Sequence, residues 1–369
     1  MRFPEFSGEW EKTSIGDCCS DLEYGMNAAS KNFDGVNKYI RITDIDELTA
    51  EYKQDSLVSP DALLEDKYLV KDGDILFART GASTGKTYIY APQDGKLYYA
   101  GFLIRANVNF GTNPKFVFYQ TQTHMYKKWV SIMSMRSGQP GINSQEYASY
   151  QFWKPTKEEQ DKISDLMTLL DQRIQTQKKI IEKYESLIRG LYHSVFNQPA
   201  STLQLKDVVS VVKGQQVNGE ELLEYGKYYV MNGGTEPSGY LDVCNTPANT
   251  ISISEGGNSC GYVQYNTEPF WSGGHCYSLI QKEQSVNYQY LYHFLKYKER
   301  NIMALRIGSG LPNVQKKDLE RFEIRVLPTK QQNRVAEILE DVSAKCDLEK
   351  RILQGWQCQK SYLLHNLFI

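Results

Sequence analysis

The feature that most restricts this chain is that its end repeats its middle, about 172 positions apart. Ser137-Gly138-Gln139-Pro140 is answered by Ser309-Gly310-Leu311-Pro312. Pro155-Thr156-Lys157 is matched by Pro328-Thr329-Lys330, with a one-residue slip that is soon compensated. Gln160 then falls on Gln332, His193 on His365 and Phe196 on Phe368. A unit of this length is too large for a solenoid repeat and points to duplication of a whole module. Such a chain carries two binding surfaces of related shape.

The repeated tails read as long helices. Residues 157–196 contain no Pro and a single Gly, Gly190. Thr156 with Glu159 after Pro155, and Thr329 with Gln332 after Pro328, read as capping boxes. Met167, Ile174, Ile181, Ile188 and Val195 recur every seven residues, with Leu170, Gln177, Tyr184 and Leu191 at the second seam position. The second copy supplies Leu339, Cys346, Leu353, Lys360 and Leu367, with Val342, Glu349, Trp356 and Leu363. A heptad sustained this long predicts a coiled coil, and the simplest packing of two such helices is an antiparallel pair with the globular blocks at opposite ends. The polar seam residues Gln177, Glu349 and Lys360 would trade stability for register.

Composition narrows the function classes. The 369 residues, 41% of them hydrophobic and 23% charged, are ordinary for a globular chain with room for two cores. No apolar run reaches the roughly 18 residues of a membrane span, and Met1 to Phe6 lacks the apolar stretch of a signal peptide, so the expected location is the cytoplasm and no membrane partner is expected. Seven cysteines, Cys18 and Cys19 adjacent and none in a C-x-x-C pair, predict free thiols in a reducing compartment rather than disulfides or zinc. The five histidines show no ligand spacing, and no metal site is expected; His193 and His365, near the helix ends, read as structural. The net charge of −2 gives no bulk attraction to nucleic acid. Basic clusters do occur, at Lys127-Lys128 with Arg136, and across Lys296, Lys298, Arg300, Arg306, Lys316 and Lys317.

The blocks at 1–155 and 198–327 read as mixed strand and helix. Strand candidates are Tyr39 to Ile42, Asp74 to Phe77 and Thr250 to Ile253; helix candidates are Phe116 to Trp129 and Tyr288 to Arg300. Ile75-Leu76-Phe77 then Gly81 is set against Ile251-Ser252-Ile253 then Gly256. Asp44-Ile45-Asp46-Glu47 reads as a surface turn. Gly81-Ala82-Ser83-Thr84-Gly85-Lys86-Thr87 imitates a phosphate-binding P-loop but has three residues between its glycines where four are needed, and Tyr88 to Pro92 reads as strand or turn rather than helix. A nucleotide-dependent enzyme is thereby a weak alternative, although the loop amides, Thr hydroxyls and Lys86 offer a hold on a nucleic-acid phosphate. Adenine-methyltransferase tetrapeptides, a G-x-G-x-x-G loop and an acidic nuclease cluster are missing from the sequence. The other alternative is a coiled-coil protein-interaction scaffold without DNA specificity.

Taken in order, the residues resemble the specificity subunits of type I restriction-modification systems. The resemblance covers nearly the whole chain. Its carriers are Phe6-x-Gly8-Glu9-Trp10 with Ile15-Gly16-Asp17, Gly73 to Arg79, and Ser137-Gly138-x-Pro140 before Pro155-x-x-x-Glu159-Gln160, with the second copies after Ser309. It implies an α+β chain with a pseudo-two-fold internal repeat: target-recognition domains at 1–155 and 198–327, separated by antiparallel spacer helices at 156–197 and 328–369. Double-stranded DNA with a bipartite target, two modification subunits that methylate adenine N6, and restriction subunits that translocate and cleave DNA would be the partners. The chain itself would be non-catalytic and hold no cofactor, S-adenosylmethionine, ATP and Mg belonging to the partner subunits. Helix length would set half-site separation.

Base reading calls for side chains on loops that reach the major groove, and positioning calls for phosphate contacts. The candidates in the first domain are Arg79, Thr80, Ser83, Thr84, Lys86, Arg136, Ser137 and Gln139. Those in the second are Ser254, Glu255, Asn258, Ser259, Trp271, His275, Arg306, Ser309 and Lys316. Loop capping is the competing role for each Ser, Thr and Asn.

Overall fold

The fold was analysed as a computed structural model, which describes residues 2–135, 139–282, 286–308, 310 and 312–368. The chain forms two compact units, Met1–Gln177 with Ile352–Ile369, and Lys178–Arg351.

In the first unit the strands that position the site are β1 (Cys19–Tyr24), β2 (Lys38–Ile40), β3 (Asp74–Ala78), β4 (Thr87–Ile89), β5 (Leu97–Tyr99) and β6 (Leu103–Val108). Four of them make an antiparallel sheet in the order β1-β6-β3-β4, while β2 and β5 pair in parallel. Every residue of β3 is buried, because both of its faces are covered. With a side-chain period of two, Ile75 and Phe77 point into one core and Leu76 and Ala78 into another. The first core also holds Ile104, Phe116 and Met167; the second holds Ile40, Leu97 and Tyr99 from the parallel pair.

The helix expected over 116–129 is two helices, α1 (Pro114–Gln120) and α2 (His124–Met133). The break is local chemistry: the Thr121 hydroxyl donates to the Phe118 carbonyl, and Thr123 caps α2 by accepting the amide of Tyr126. The long α3 (Lys157–Phe196) follows.

The second unit repeats this plan with β7 (Val209–Lys213), β8 (Tyr228–Met231), β9 (Thr250–Ser254), β10 (Val263–Asn266), β11 (Trp271–Ser272) and β12 (Cys276–Gln281). The antiparallel order is β7-β12-β9-β10, and β8 pairs in parallel with β11. Ile251 and Ile253 of β9 enter the core, whereas Ser252 between them takes a hydrogen bond from Asn266. The helix expected over 288–300 is again split, into α4 (Tyr288–Tyr297) and α5 (Glu299–Met303). Last comes α6 (Thr329–Asn366).

The two long helices contribute to both units. In the first, Lys360 of α6 pairs with Asp171 of α3 at 2.6 Å; in the second, Lys350 pairs with Glu185 at 2.9 Å. Met167, Leu170, Ile174, Gln177, Ile181, Leu339, Cys346, Leu363 and Leu367 are buried. Tyr184, Ile188, Leu191, Val342, Glu349, Leu353, Trp356 and Lys360 are half-buried. Lys360 resolves its seam position by bridging to Asp171, so its ammonium is not left unpaired.

Phe368 and Phe196 do equivalent work at the helix ends. Phe368 stacks on Phe116 at 5.4 Å in the first unit, and Phe196 meets Phe294 edge-on at 5.4 Å in the second. His193 and His365 lie in the last helical turns.

Two polar readings need correction. Glu159, read as a capping-box residue, is fully buried and held by Arg2 through Nε and Nη2, at 2.8 and 2.7 Å. Asp44 does not sit on a surface turn; it is buried in a bidentate pair with Arg41. Only the neighbouring Asp46, which accepts the amides of Leu48 and Thr49, makes the expected turn. Among the described residues, no helix is long and apolar enough to cross a membrane.

Candidate nucleic-acid interface

Both units build the same tip from the hairpin between two sheet strands. In the first, β3 ends at Ala78, and Ala78 N donates to Lys86 O at 2.8 Å while Gly85 N donates to Ala78 O at 3.0 Å. In the second, Ser254 N donates to Tyr262 O and Gly261 N to Ser254 O, at 3.0 and 2.8 Å. Gly81 N reaches Pro140 O at 2.9 Å, and Gly257 N reaches Pro312 O at 3.1 Å. The glycine equivalent to Gly81 is therefore Gly257, one position beyond the sequence-based pairing with Gly256. Left-handed backbone at Gly81 and Gly85, and at Gly257 and Gly261, fixes these four sites.

The hairpin settles the P-loop question. Its glycines join two antiparallel strands, not a strand and a helix. The amides of Gly81, Thr84, Gly85 and Lys86 already donate to protein acceptors. The Thr84 hydroxyl donates to Gly81 O, and Lys86 lies 3.3 Å from Glu47. Those four amides are thus not offered to a phosphate, which narrows the expectation drawn from the sequence. Lys86 has its ammonium on a carboxylate that is itself exposed.

A short helix abuts each hairpin. A Cβ at Gly85 would lie 2.4 Å from Val130 of α2, and one at Gly261 would lie 2.7 Å from the Cα of Met303 in α5. Those helices carry the basic residues Lys127 and Lys128, and Arg300 with the neighbouring Arg306. All four are exposed.

The sequence candidates divide by environment. In the first unit Arg79, Thr80, Ser83, Thr84 and Lys86 are half-buried along the hairpin, and exposed Gln139 comes within 3.2 Å of where a Gly81 Cβ would sit. Arg136 and Ser137 lie outside the described residues, as does Ser309. In the second unit Asn258 is exposed and Ser259 half-buried on the hairpin, and His275 and Arg306 are exposed beside it. Lys316 opens a short helix at Lys316–Glu320 and pairs with Glu320 at 3.7 Å.

Three candidates are committed to the protein itself. Ser254 is buried. Glu255 is buried and takes Lys213 Nζ at 2.8 Å and the Tyr277 hydroxyl at 2.9 Å. Trp271 donates its indole N–H to Gln215 O at 3.1 Å. These support the tip rather than extend from it.

Residues that the sequence reading passed over complete the geometry. Arg79 N donates to Phe102 O, as Glu255 N does to His275 O. Phe102 and His275 therefore hold the same place, on the turns entering β6 and β12. Beside them, Tyr24 ends β1 and Lys213 ends β7. A glycine follows each, because a Cβ at Gly25 or Gly214 would stand 2.2 Å from a carbonyl oxygen, Ala100 or Gly273. The Tyr24-Gly25 and Lys213-Gly214 pairs were the available signal. The guanidinium of Arg79 lies over the Tyr24 ring, 4.8 Å from its centroid. Burial opposes ionisation of the Tyr24 hydroxyl, but hydrogen bonds from Ser144 and the nearby Arg79 outweigh it and leave its pKa below the ordinary value.

Comparison with known proteins follows the same division. The type I restriction modification DNA specificity domain matches residues 7–186 and again 198–355, and the chain belongs to that family. It is 31% identical over 166 residues to a candidate type I specificity subunit of Mycoplasma genitalium, a match covering 42% of this chain and 43% of that one. It is 27% identical over 199 residues to the HindI specificity subunit of Haemophilus influenzae, covering 51% and 41% of the two chains. These matches span less than half the length of either relative. The MjaVIII specificity subunit of Methanocaldococcus jannaschii matches more distantly, 20% identical over all of this chain and 93% of its own. The crystal structure of a type I restriction-modification S subunit from M. genitalium shares the fold, with a TM-score of 0.77 over 100% of this chain and 99% of that one at 18% identity.

Proposed function

We propose that this chain is the DNA-recognition component of a type I restriction-modification complex, in which each of its two specificity domains reads one half of a split target. The observation that carries this reading is a conserved framework with exchanged side chains at its tip. The hairpin hydrogen bonds, the left-handed glycines and the crossing glycine recur, while Tyr24, Arg79, Lys86 and Phe102 become Lys213, Glu255, Tyr262 and His275. Two equal partners would be served by equal tips. Two different half-sites need two different ones.

In this reading methyltransferase subunits that modify adenine N6 dock on the long helices, and restriction subunits join them. The chain is non-catalytic and binds no cofactor of its own; S-adenosylmethionine, ATP and Mg act in the partners, in the cytoplasm where the DNA lies. Extrusion of the target adenine then belongs to the methyltransferase. Phosphate contact comes from the exposed lysines and arginines beside the hairpins, so affinity falls steeply as salt rises.

The test is a genome-wide map of N6-methyladenine with and without the gene. Loss of one bipartite motif supports the reading. An unchanged map, in cells where the chain is bound to a methyltransferase, removes it.

A further inference from the structure

The exchanged side chains support a finer assignment, which rests on the DNA-recognition reading above. We propose that Arg79 reads a guanine in the half-site bound by the first domain, with Tyr24 as its positioning residue and Phe102 as the adjoining apolar wall.

The argument starts from what holds Arg79. Its guanidinium lies 4.8 Å from the Tyr24 ring centroid, and the far end of that ring is anchored where the Tyr24 hydroxyl accepts Ser144 N and Oγ, each at 3.2 Å. Arg2, Arg41 and Arg105 each pair with a carboxylate, but among the described residues Arg79 has none. A guanidinium held over an aromatic ring can keep its N–H groups free for another partner. Its N–H edge matches the two acceptors, O6 and N7, that only guanine presents together in the major groove.

The surroundings have room for a base edge. A cleft of about 290 Å³ opens beside Arg79, walled by Tyr24, Gly25, Tyr39, Gly101 and Phe102. Phe102 is 57% exposed at the lip, where its ring forms an apolar side of the cleft. The second domain cannot use this device. Glu255 stands where Arg79 stands, and both Lys213 and Tyr277 bind it. The arginine fork therefore serves one half-site alone.

The experiment is the methylation map repeated with the full chain carrying Arg79→Lys, Arg79→Ala or Phe102→Ala, in cells where the wild-type chain gives a bipartite motif. Both Arg79 variants are expected to lose preference for one guanine in one half-site by roughly ten- to hundred-fold, with the other half unchanged. Phe102→Ala should relax the same position or its neighbour. Lysine keeps the charge but not the fork, so a wild-type motif with Arg79→Lys would make Arg79 a phosphate contact and overturn the assignment. Retention of every guanine in Arg79→Ala would overturn it too, as would total loss of methylation by a variant chain that still binds its methyltransferase. If the wild-type chain gives no bipartite motif, the DNA-recognition reading itself fails.

Discussion

Gln160 accepts the backbone amide of Asn113 at 2.9 Å through Oε1 and donates through Nε2 to Pro155 O at 2.8 Å. Gln332 makes the same two contacts in the second unit, to Asn287 N at 2.8 Å and Leu327 O at 2.7 Å. One side chain thus ties the start of each long helix to the N-cap of an earlier helix, α1 in the first unit and α4 in the second. Both glutamines are buried.

Gln160→Ala and Gln332→Ala should each leave a buried backbone donor and acceptor unsatisfied, costing about 1–3 kcal/mol. The loss should stay within the unit that carries the change. Hydrogen exchange reads it out: Gln160→Ala should lower protection around Asn113 and leave Asn287 protected, and Gln332→Ala should do the reverse.

The hairpin glycines give a second expectation. Gly85→Ala and Gly261→Ala both force a side chain into left-handed backbone, at about 1 kcal/mol or more. Contact separates them: the Gly85 methyl meets the Val130 side chain, whereas the Gly261 methyl meets the Met303 backbone. Val130→Ala added to Gly85→Ala should recover part of the lost stability, measured by urea denaturation. No Met303 truncation should rescue Gly261→Ala, because the clash is with atoms every residue has.

Acid should weaken the second unit through His293. This ring is buried and bonded to the Tyr192 hydroxyl at 3.0 Å, and burial lowers its pKa to about 4. Unfolded, it titrates near 6.5. Between those values the unfolded chain binds the extra proton, so stability is full above about pH 6.5 and falls as pH drops toward 4, by about 3 kcal/mol. Urea midpoints measured from pH 7 to pH 4.5 should fall, and His293→Asn should flatten that slope after its own constant cost. An equal slope in the variant would assign the effect elsewhere.

Modularity gives the fourth. Exchanging residues 198–327 with those of a relative should change one half of the methylated motif and preserve the other. A motif altered in both halves would show that the domains do not read independently.

The large features were legible in the sequence because they repeat or alternate. The heptad through Met167, Ile174 and Ile181 falls on the buried face of α3, and the strands at 74–77 and 250–253 lie in the two sheets. What escaped was contact made by a single residue at long range. The break between α1 and α2 is the exception, since Thr121 and Thr123 make it through hydroxyl bonds to backbone three residues away. The Tyr24–Arg79 stack joins residues 55 positions apart, and no local pattern encodes it. Glu255 looked like a loop acid because its partners, Lys213 and Tyr277, arrive from other strands.

The seat of Phe368 has a consequence in time. Its ring, with Leu363 and Leu367, completes the core that holds Ile75, Phe77 and Phe116. On the ribosome, residues 178–351 are made between those two sets. The earlier of the two domains to be translated is therefore the last able to complete its core, while its twin, whose residues lie in one unbroken stretch, can fold ahead of it.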